Sequence, residues 1–367
     1  MSGANHDRGQ SPISRQQIRF CTSFDGTRLA YALTGDGPPL VKAPHWFTHL
    51  EEEWHSPVWR PWIDALSRRH RLLRTDERGC GLSDRDVAEI SFEALVRDLE
   101  AVVDAAGLER FCLFGTSQGG AMAIEYAARH PERVSHLVLL GSYARGWLRR
   151  GLAKIDEEME ARLKLVELGW ERDDPTYRQM FISPYVPTAT LEQLRSMIEL
   201  VGRSAPASSL TQLIRCLFAV DVQSSARQVK CPTLLLHAQR DRRVPLEESR
   251  VLGSLIPDAR LVVLDSDNHL LLPQEPAFGQ FFAELDAFLP GRASPARAHF
   301  SALTAREAEI LEHIARGLDN AQIAARLGLS EKTVRNHITH IFDKLQVENR
   351  AQAIVLARDN GLGAGEP

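Results

Sequence analysis

Along most of this chain, short apolar runs alternate with stretches of helical period, and from Leu303 onward only the helical period remains. Residues 18–34 alternate apolar and polar positions and turn at Asp25-Gly26, which predicts a β-hairpin. Residues 40–43 and 72–74 predict short buried strands, with helical spacing over 58–66 between them. Ser91 is placed to cap a helix whose inward positions are Leu95, Leu99, Val102 and Val103 and which stops at Gly107. A strand at 111–114, a helix at 119–129 and a strand at 137–140 follow. This alternation predicts an α/β fold: a largely parallel sheet covered by helices on both faces.

Over 142–227 the strand pattern stops. Amphipathic stretches carry Trp147, Leu165, Trp170, Met180, Phe181, Tyr185, Met197 and Phe218, which predicts a helical cap inserted into the sheet domain, with a few of its aromatic residues lining an apolar pocket. Strands resume at 233–237 and 261–264, and a helix at about 275–289 closes the domain. The expected organisation is a loose tail over 1–17, a sheet domain over 18–290, a linker over 291–300 opened by the breaker-rich run Pro290-Gly291-Arg292-Ala293-Ser294-Pro295, and a helical domain over 301–362.

In that last domain Thr304 and Glu307 form a capping box ahead of a helix ending near Gly317. Asn320 is read as the cap of a second helix with Ile323, Ala324 and Leu327 inward, and Gly328-Leu329-Ser330 as a tight turn. Ser330 caps a third helix over 331–345, and a fourth runs over about 350–360. On the third helix Val334, Ile338, Ile341 and Leu345 share one face, and Lys332, Arg335, Asn336, Thr339 and Asp343 share the other. Arg, Asn and Thr are side chains that hydrogen-bond base edges and phosphates, so the pattern reads as a helix-turn-helix with its third helix as reader.

Composition narrows the picture. With 367 residues the chain is too long for one ordinary core. A net charge of −4 supplies no global attraction to nucleic acid, so DNA contact must come from local placement. Cys21, Cys80, Cys112, Cys216 and Cys231 lack paired spacing, which predicts reduced structural thiols and neither disulfides nor a metal site. No apolar run approaches the roughly 20 residues of a membrane span, and the N-terminus has no signal-peptide stretch. A cytoplasmic location is expected, with no membrane partner and no cofactor.

The chemistry centres on Gly115-Thr116-Ser117-Gln118-Gly119, which lies between a strand and a helix. A G-x-S-x-G in that setting makes a sharp turn that exposes the serine Oγ, with the next N–H pointing at the same space. The serine needs a base and the base an orienting carboxylate, in the order Ser, Asp or Glu, His. Asp241 follows the strand at 233–237, and His269 follows the strand at 261–264, with Asp265 and Asp267 as alternative carboxylates. His45, His49, His55 and His70 are read as structural, and Asp76 and Arg78 as braces between loops.

With these motifs in order, and with Thr75-Asp76-Glu77-Arg78-Gly79-Cys80-Gly81-Leu82-Ser83-Asp84 in the place of a characteristic loop, residues 18–290 resemble the α/β-hydrolase family. The resemblance implies Ser117 as nucleophile, His269 as general base and Asp241 as its orienter. It places one oxyanion donor at Gln118 N–H. The second follows a His-Gly pair in the family. Here the text is Pro44-His45-Trp46-Phe47, so the donor is Phe47 N–H, with Trp46 as the alternative. The bulky Trp46 departs from the family pattern and puts turnover in question.

The C-terminal phrases Leu303-Thr304-x-Arg306-Glu307, Ile323-Ala324-x-x-Leu327, Thr333-Val334-Arg335-x-His337 and Lys344-Leu345-x-Val347-x-x-Arg350 resemble the LuxR-type DNA-binding domain. The resemblance implies base or phosphate contacts from Arg335, Asn336 and Thr339, with Lys332, Thr333 and Lys344 near the DNA backbone. Asp319 departs from the pattern, since an acid beside a phosphate weakens contact. Nearly balanced charge in this domain implies little affinity from one copy, hence a homodimer, through the fourth helix, on two half-sites of double-stranded DNA. The expected function is a transcriptional regulator that senses a small, partly apolar molecule. The alternative is a working serine esterase or lactonase whose DNA-binding domain targets or regulates it, with perhydrolysis as a related chemistry of the same triad.

Overall fold

The computed structural model describes residues 15–151, 154–289, 303–345, 347, 349–359 and 362. The linker expected at 291–300 and most of the tail expected at 1–17 lie outside the described residues. The chain divides into two compact units, Met1–Pro290 and Gly291–Pro367.

The first unit is built on one sheet of eight strands in the order β1-β2-β4-β3-β5-β6-β7-β8. The strands are β1 (Gln17–Thr22), β2 (Arg28–Thr34), β3 (Pro39–Lys42), β4 (Arg71–Thr75), β5 (Phe111–Thr116), β6 (Val134–Leu140), β7 (Thr233–Ala238) and β8 (Ala259–Leu264). The hairpin β1–β2 pairs antiparallel, and β2 meets β4 antiparallel; from β4 to β8 every pairing is parallel.

Both faces of the parallel part are buried, so its strands read as continuous apolar runs. Successive residues point to opposite faces. Leu40, Leu72, Phe114, Val138 and Leu234 therefore join one core, while Val41, Leu73, Leu113, Leu139 and Leu235 join the other. The first core is covered by α2 (Trp59–Ser67), by α11 (Pro276–Phe288) and by the cap. The second is covered by α3 (Phe92–Ala105), α4 (Gly119–Arg129) and α10 (Leu246–Leu255). Trp62 of α2 packs edge-on against Phe278 and Phe281 of α11, a contact whose aromatic area alone stabilises by about 1.5–3 kcal/mol per ring buried.

Two helices go beyond the apolar periodicity of the sequence: α1 (Leu50–His55), six residues with three consecutive glutamates, and α10. Each is held by tertiary contacts. Asp76 Oδ2 accepts from Leu50 N–H at the start of α1, and Leu252 of α10 is fully buried against the sheet.

The cap inserted between β6 and β7 consists of α5 (Ile155–Gly169), α6 (Thr176–Ile182), α7 (Leu191–Ser204), α8 (Ala207–Ala219) and the single turn α9 (Gln223–Ala226). Thr190 and Gln193 close a capping box at the start of α7.

The second unit contains α12 (Ala305–Ala315), α13 (Asn320–Leu327), α14 (Glu331–Leu345) and α15 (Arg350–Asp359) around a core of Ile310, Leu311, Ile314, Ile323, Val334 and Ile341. Thr304 and Glu307 form the capping box read from the sequence. The cap of α13 is corrected: it is Asp319, not Asn320. Its carboxylate accepts from Gln322 N–H at 2.8 Å, and Asp319 N–H donates in return to Gln322 Oε1 at 3.0 Å. A carboxylate at a helix N-terminus also meets the positive end of the helix dipole, so the acid that departs from the LuxR-type pattern has a local structural role. Gly328 adopts φ 65° at the end of α13, and Ser330 Oγ accepts from Thr333 N–H at the start of α14.

Candidate functional site

The turn from β5 into α4 places Ser117 at φ 53°, left-handed backbone that a residue with a Cβ adopts only when its surroundings enforce it. The flanking glycines explain how the turn closes. A Cβ on Gly115 would lie 2.6 Å from Gly120 Cα, and one on Gly119 would lie 2.5 Å from Pro44 O. Phe47, across the cavity, is a second strained residue at φ 65°.

Asp241 and His269 sit after β7 and β8 at the carboxyl edge of the sheet, as open α/β sheets place their sites. His269 Nδ1 lies 2.6 Å from Asp241 Oδ2, and Asp241 Oδ1 accepts from the N–H groups of Arg243 (2.7 Å) and Val244 (2.9 Å). Burial pushes the Asp241 carboxyl up, but the His269 imidazole and these bonds outweigh it, so its pKa falls below the ordinary value. It is therefore ionised at neutral pH. The alternative carboxylates point elsewhere: Asp265 and Asp267 are both bound by Arg240, and the Asp265 side chain is 83 % exposed.

His269 Nε2 is buried with no hydrogen-bond partner among the described residues, and it shares a narrow cavity of ≈ 40 Å³ with Ser117. On a scale of about 10–15 Å³ per water, that space holds a few waters or a small acyl group. Ile182, Met197, Leu200 and Leu270 make its wall apolar. Tyr185, just past α6, lines the same cavity; its carbonyl accepts from the N–H groups of His269 (2.9 Å) and Leu270 (3.2 Å).

The oxyanion region has three features. Gln118 and Phe47 both line the cavity, and among the described residues no backbone carbonyl accepts from either N–H. Oriented so that each of its atoms meets a complementary partner, the Gln118 carboxamide turns its oxygen to the backbone N–H and the indole Nε1 (3.0 Å) of Trp46, and its nitrogen to Ser117 Oγ (3.1 Å). In that orientation Trp46 N–H is engaged within the protein, while Phe47 and Gln118 line the cavity. Behind them His45 Nδ1 lies 2.8 Å from Lys42 Nζ. Burial, reinforced by Lys42, pushes the His45 pKa well below its ordinary value, so this imidazole is neutral. Burial also lowers Lys42 to about 8, so its ammonium donates and His45 Nδ1 accepts.

The residues read as braces make bracing contacts. Asp76 accepts from Leu50 N–H and Leu82 N–H, and Arg78 is held by Asp98 and Asp25. Tyr185 is one of the cap aromatics expected to include pocket-lining residues, whereas sequence reasoning missed Arg243 and the Lys42–His45 pair, whose partners lie far apart along the chain or carry no motif. All five cysteines are unpaired. Among the described residues no three His, Cys, Asp or Glu side chains gather to hold a metal ion, and no helix is long and apolar enough to cross a membrane.

In the second unit α14 buries Val334, Ile338, Ile341 and Leu345 and exposes Lys332, Arg335, Asn336, Thr339 and Asp343. Glu331 and His340 share the exposed face. Thr333 is half-buried, with its hydroxyl 2.8 Å from Ser330 Oγ. Lys344 is drawn inward: its ammonium lies 2.6 Å from Glu307 Oε2 and ties α14 to α12.

Residues 47–176 match the alpha/beta hydrolase fold family, and residues 301–357 match the bacterial regulatory proteins of the luxR family. RutD of Azorhizobium caulinodans is 32% identical over 217 residues, covering 58% of this chain and 78% of that one. The chain belongs to the α/β-hydrolase family. Its hydrolase-fold unit is joined to a LuxR-family DNA-binding unit. A pimeloyl-[acyl-carrier protein] methyl ester esterase of Nitrosomonas europaea is 31% identical over 241 residues, covering 64% of this chain and 90% of that one. Among solved structures, an esterase from Exiguobacterium antarcticum superposes with a TM-score of 0.63 at 22% identity, over 73% of this chain and 98% of that one. That likeness shows the α/β-hydrolase fold.

Proposed function

We propose that this α/β-hydrolase family member is a transcriptional regulator whose hydrolase-type cavity senses a small, partly apolar molecule. The observation that carries the reading is the union, in one chain, of a cavity holding Ser117 and His269 with a LuxR-family unit that exposes Lys332, Arg335, Asn336 and Thr339 on one helix face. Arg335, Asn336 and Thr339 contact bases or phosphates, and Lys332 and Thr333 lie near the DNA backbone. Lys344 contributes there after exchanging Glu307 for a phosphate. Two copies read two half-sites, because one helix with few cations releases few counterions. A ligand shifts such an equilibrium only by its different affinity for the two states.

The test uses the full chain. A binding duplex is selected from a random pool, and its Kd is measured before and after a fluorophosphonate occupies Ser117. A changed Kd supports coupling. Complete labelling with an unchanged Kd counts against a sensor.

The second reading, a working esterase or lactonase, is favoured by the 2.6 Å Asp241–His269 contact and the unpartnered His269 Nε2. Ser117 Oγ attacks the ester carbonyl while His269 Nε2 takes its proton, and Asp241 holds the imidazole in the Nδ1–H tautomer. Gln118 and Phe47 N–H stabilise the oxyanion. His269 then protonates the leaving alcohol, and a water activated by the same imidazole releases the acid. Turnover of short-chain aryl esters, absent in Ser117→Ala, tests it.

A further inference from the structure

Beside the Ser117 cavity, three arginines converge on one indole, and a fourth joins them through a shared carboxylate. The Trp147 ring, in the single helical turn Trp147–Arg149, has the guanidinium carbons of Arg162, Arg243 and Arg150 at 4.7, 5.2 and 6.0 Å from its centroid. Arg145 joins them through Glu248, whose Oε1 lies 2.8 Å from Arg145 Nη2 and 3.7 Å from Arg150 Nε. The Arg150 side chain is only 4 % exposed and Arg243 only 6 %. Glu248 is a buried carboxylate in this group. Glu158, half-exposed, pairs with Arg162 alone.

This arrangement leaves donors over. Arg145 Nε, Arg150 Nη2, Arg162 Nε and Arg243 Nε are buried without a hydrogen-bond partner among the described residues. Buried charges ordinarily have both a countercharge and an acceptor for each N–H. Aromatic faces offset part of the charge but accept no such bond in the ring plane of a guanidinium. Burial lowers the Arg150 pKa, and Arg145 and Arg243 add to that against the pull of Glu248 and Tyr143. The cluster is positively charged and rich in unused donors.

It also adjoins the cavity. Arg243 Nη2 donates to Tyr185 Oη at 3.1 Å, and Tyr185 lines the cavity and meets His269 edge-on at 5.5 Å. Trp147 stacks on Phe218 at 5.2 Å, and Phe218 on Trp46 at 6.4 Å.

We propose that Arg145, Arg150, Arg162 and Arg243 seat a carboxylate or phosphate group of the ligand whose apolar part enters the Ser117 cavity. Guanidinium groups bind such oxyanions in pairs of parallel bonds, and several N–H groups here stand ready to donate. This inference rests on the reading of the cavity as a ligand site, and it narrows that ligand to an anionic one.

The experiment has two arms. In the first, melting of the wild-type full chain is followed in adipate, in inorganic phosphate and in sodium chloride at equal ionic strength. Adipate or phosphate is expected to raise the melting temperature by about 2–4 °C where chloride does not, because a ligand bound to the folded state alone stabilises it. Ser117→Ala is expected to behave alike, so this arm stands even if the enzyme reading fails. Equal effects of all three salts would overturn the proposal.

In the second arm, kcat/KM for mono-(4-nitrophenyl) adipate is divided by that for 4-nitrophenyl hexanoate. Arg150→Gln is expected to lower this ratio about tenfold through the loss of a charged hydrogen bond while sparing the neutral ester. Arg145→Gln, at a more exposed side chain, serves if Arg150→Gln does not fold. An unchanged ratio would identify the cluster as stacking that only anchors the cap.

Discussion

The cavity around Ser117 and the exposed face of α14 are built in opposite ways. Around the cavity, Ser117 and Phe47 hold left-handed backbone, Lys42 and His45 are buried polar groups, and Asp241, His269 and Tyr185 come from segments far apart in the chain. On α14 the polar face is what a helix leaves outside once four apolar residues turn inward. Strained backbone and buried polar groups persist only where the surrounding structure over-determines them, as the sheet edge and cap do there. A surface that meets a large charged partner needs mainly a rigid helix of the right composition.

The largest effect that sharpens this contrast is loss of the nucleophile. Ser117→Ala is expected to lower aryl-ester turnover at least about 10³-fold, while duplex binding in the absence of ligand is unchanged. Persistent hydrolysis would show that the elbow serine is not the attacking group. Asp241→Asn comes next, with kcat lower by about 10³–10⁴-fold, because the amide favours the wrong imidazole tautomer. Asp265→Asn, at a carboxylate bound by Arg240, is expected to leave kcat within about twofold, since exposed polar substitutions perturb little.

Geometry at the elbow gives a stability test. A Cβ at Gly119 meets Pro44 O at 2.5 Å, so Gly119→Ala is expected to cost about 1–3 kcal/mol, read as a lower urea midpoint. On the reading helix Arg335→Ala and Asn336→Ala are each expected to weaken binding to a selected duplex by about 1–3 kcal/mol, and Lys332→Ala to lower the salt slope by about 1. If all three bind as tightly as the parent, α14 does not enter the groove by this face.

The smallest effect concerns the brace beneath that helix. Burial pushes the Glu307 carboxyl up, but Lys344 and Thr304 outweigh it and hold its pKa at about 2. With a folded value below the ordinary 4.5, its contribution is present above pH 4.5 and is lost as pH falls toward 2. Hydrogen-exchange protection factors in α12 and α14 of the full chain are expected to fall over that window, and Glu307→Gln to remove this pH dependence while protection above pH 4.5 falls slightly.

Much of both units was legible in the sequence, for a local reason. The G-x-S-x-G between strand and helix, the strand runs and the capping box Thr304–Glu307 depend on near neighbours and on periods of two or 3.6 residues. The slip at Asp319 is also local: two adjacent residues both suit an N-cap, and the backbone decides which of them is extended. The short helix α1 escaped because three glutamates carry no apolar period, and its start is fixed by Asp76 across the fold.

By itself the sequence determined the class of fold, the domain order, the sharp turn that carries Ser117 and the two faces of α14, because each is written in contiguous residues. Tertiary structure alone decided that Asp241, not Asp265 or Asp267, meets His269, that Gln118 meets Trp46, that burial beside Lys42 keeps His45 neutral and that three arginines crowd one indole. Those pairings join residues with no fixed spacing along the chain, and their energies come from burial and charge, which exist only once the sheet and cap have closed around them.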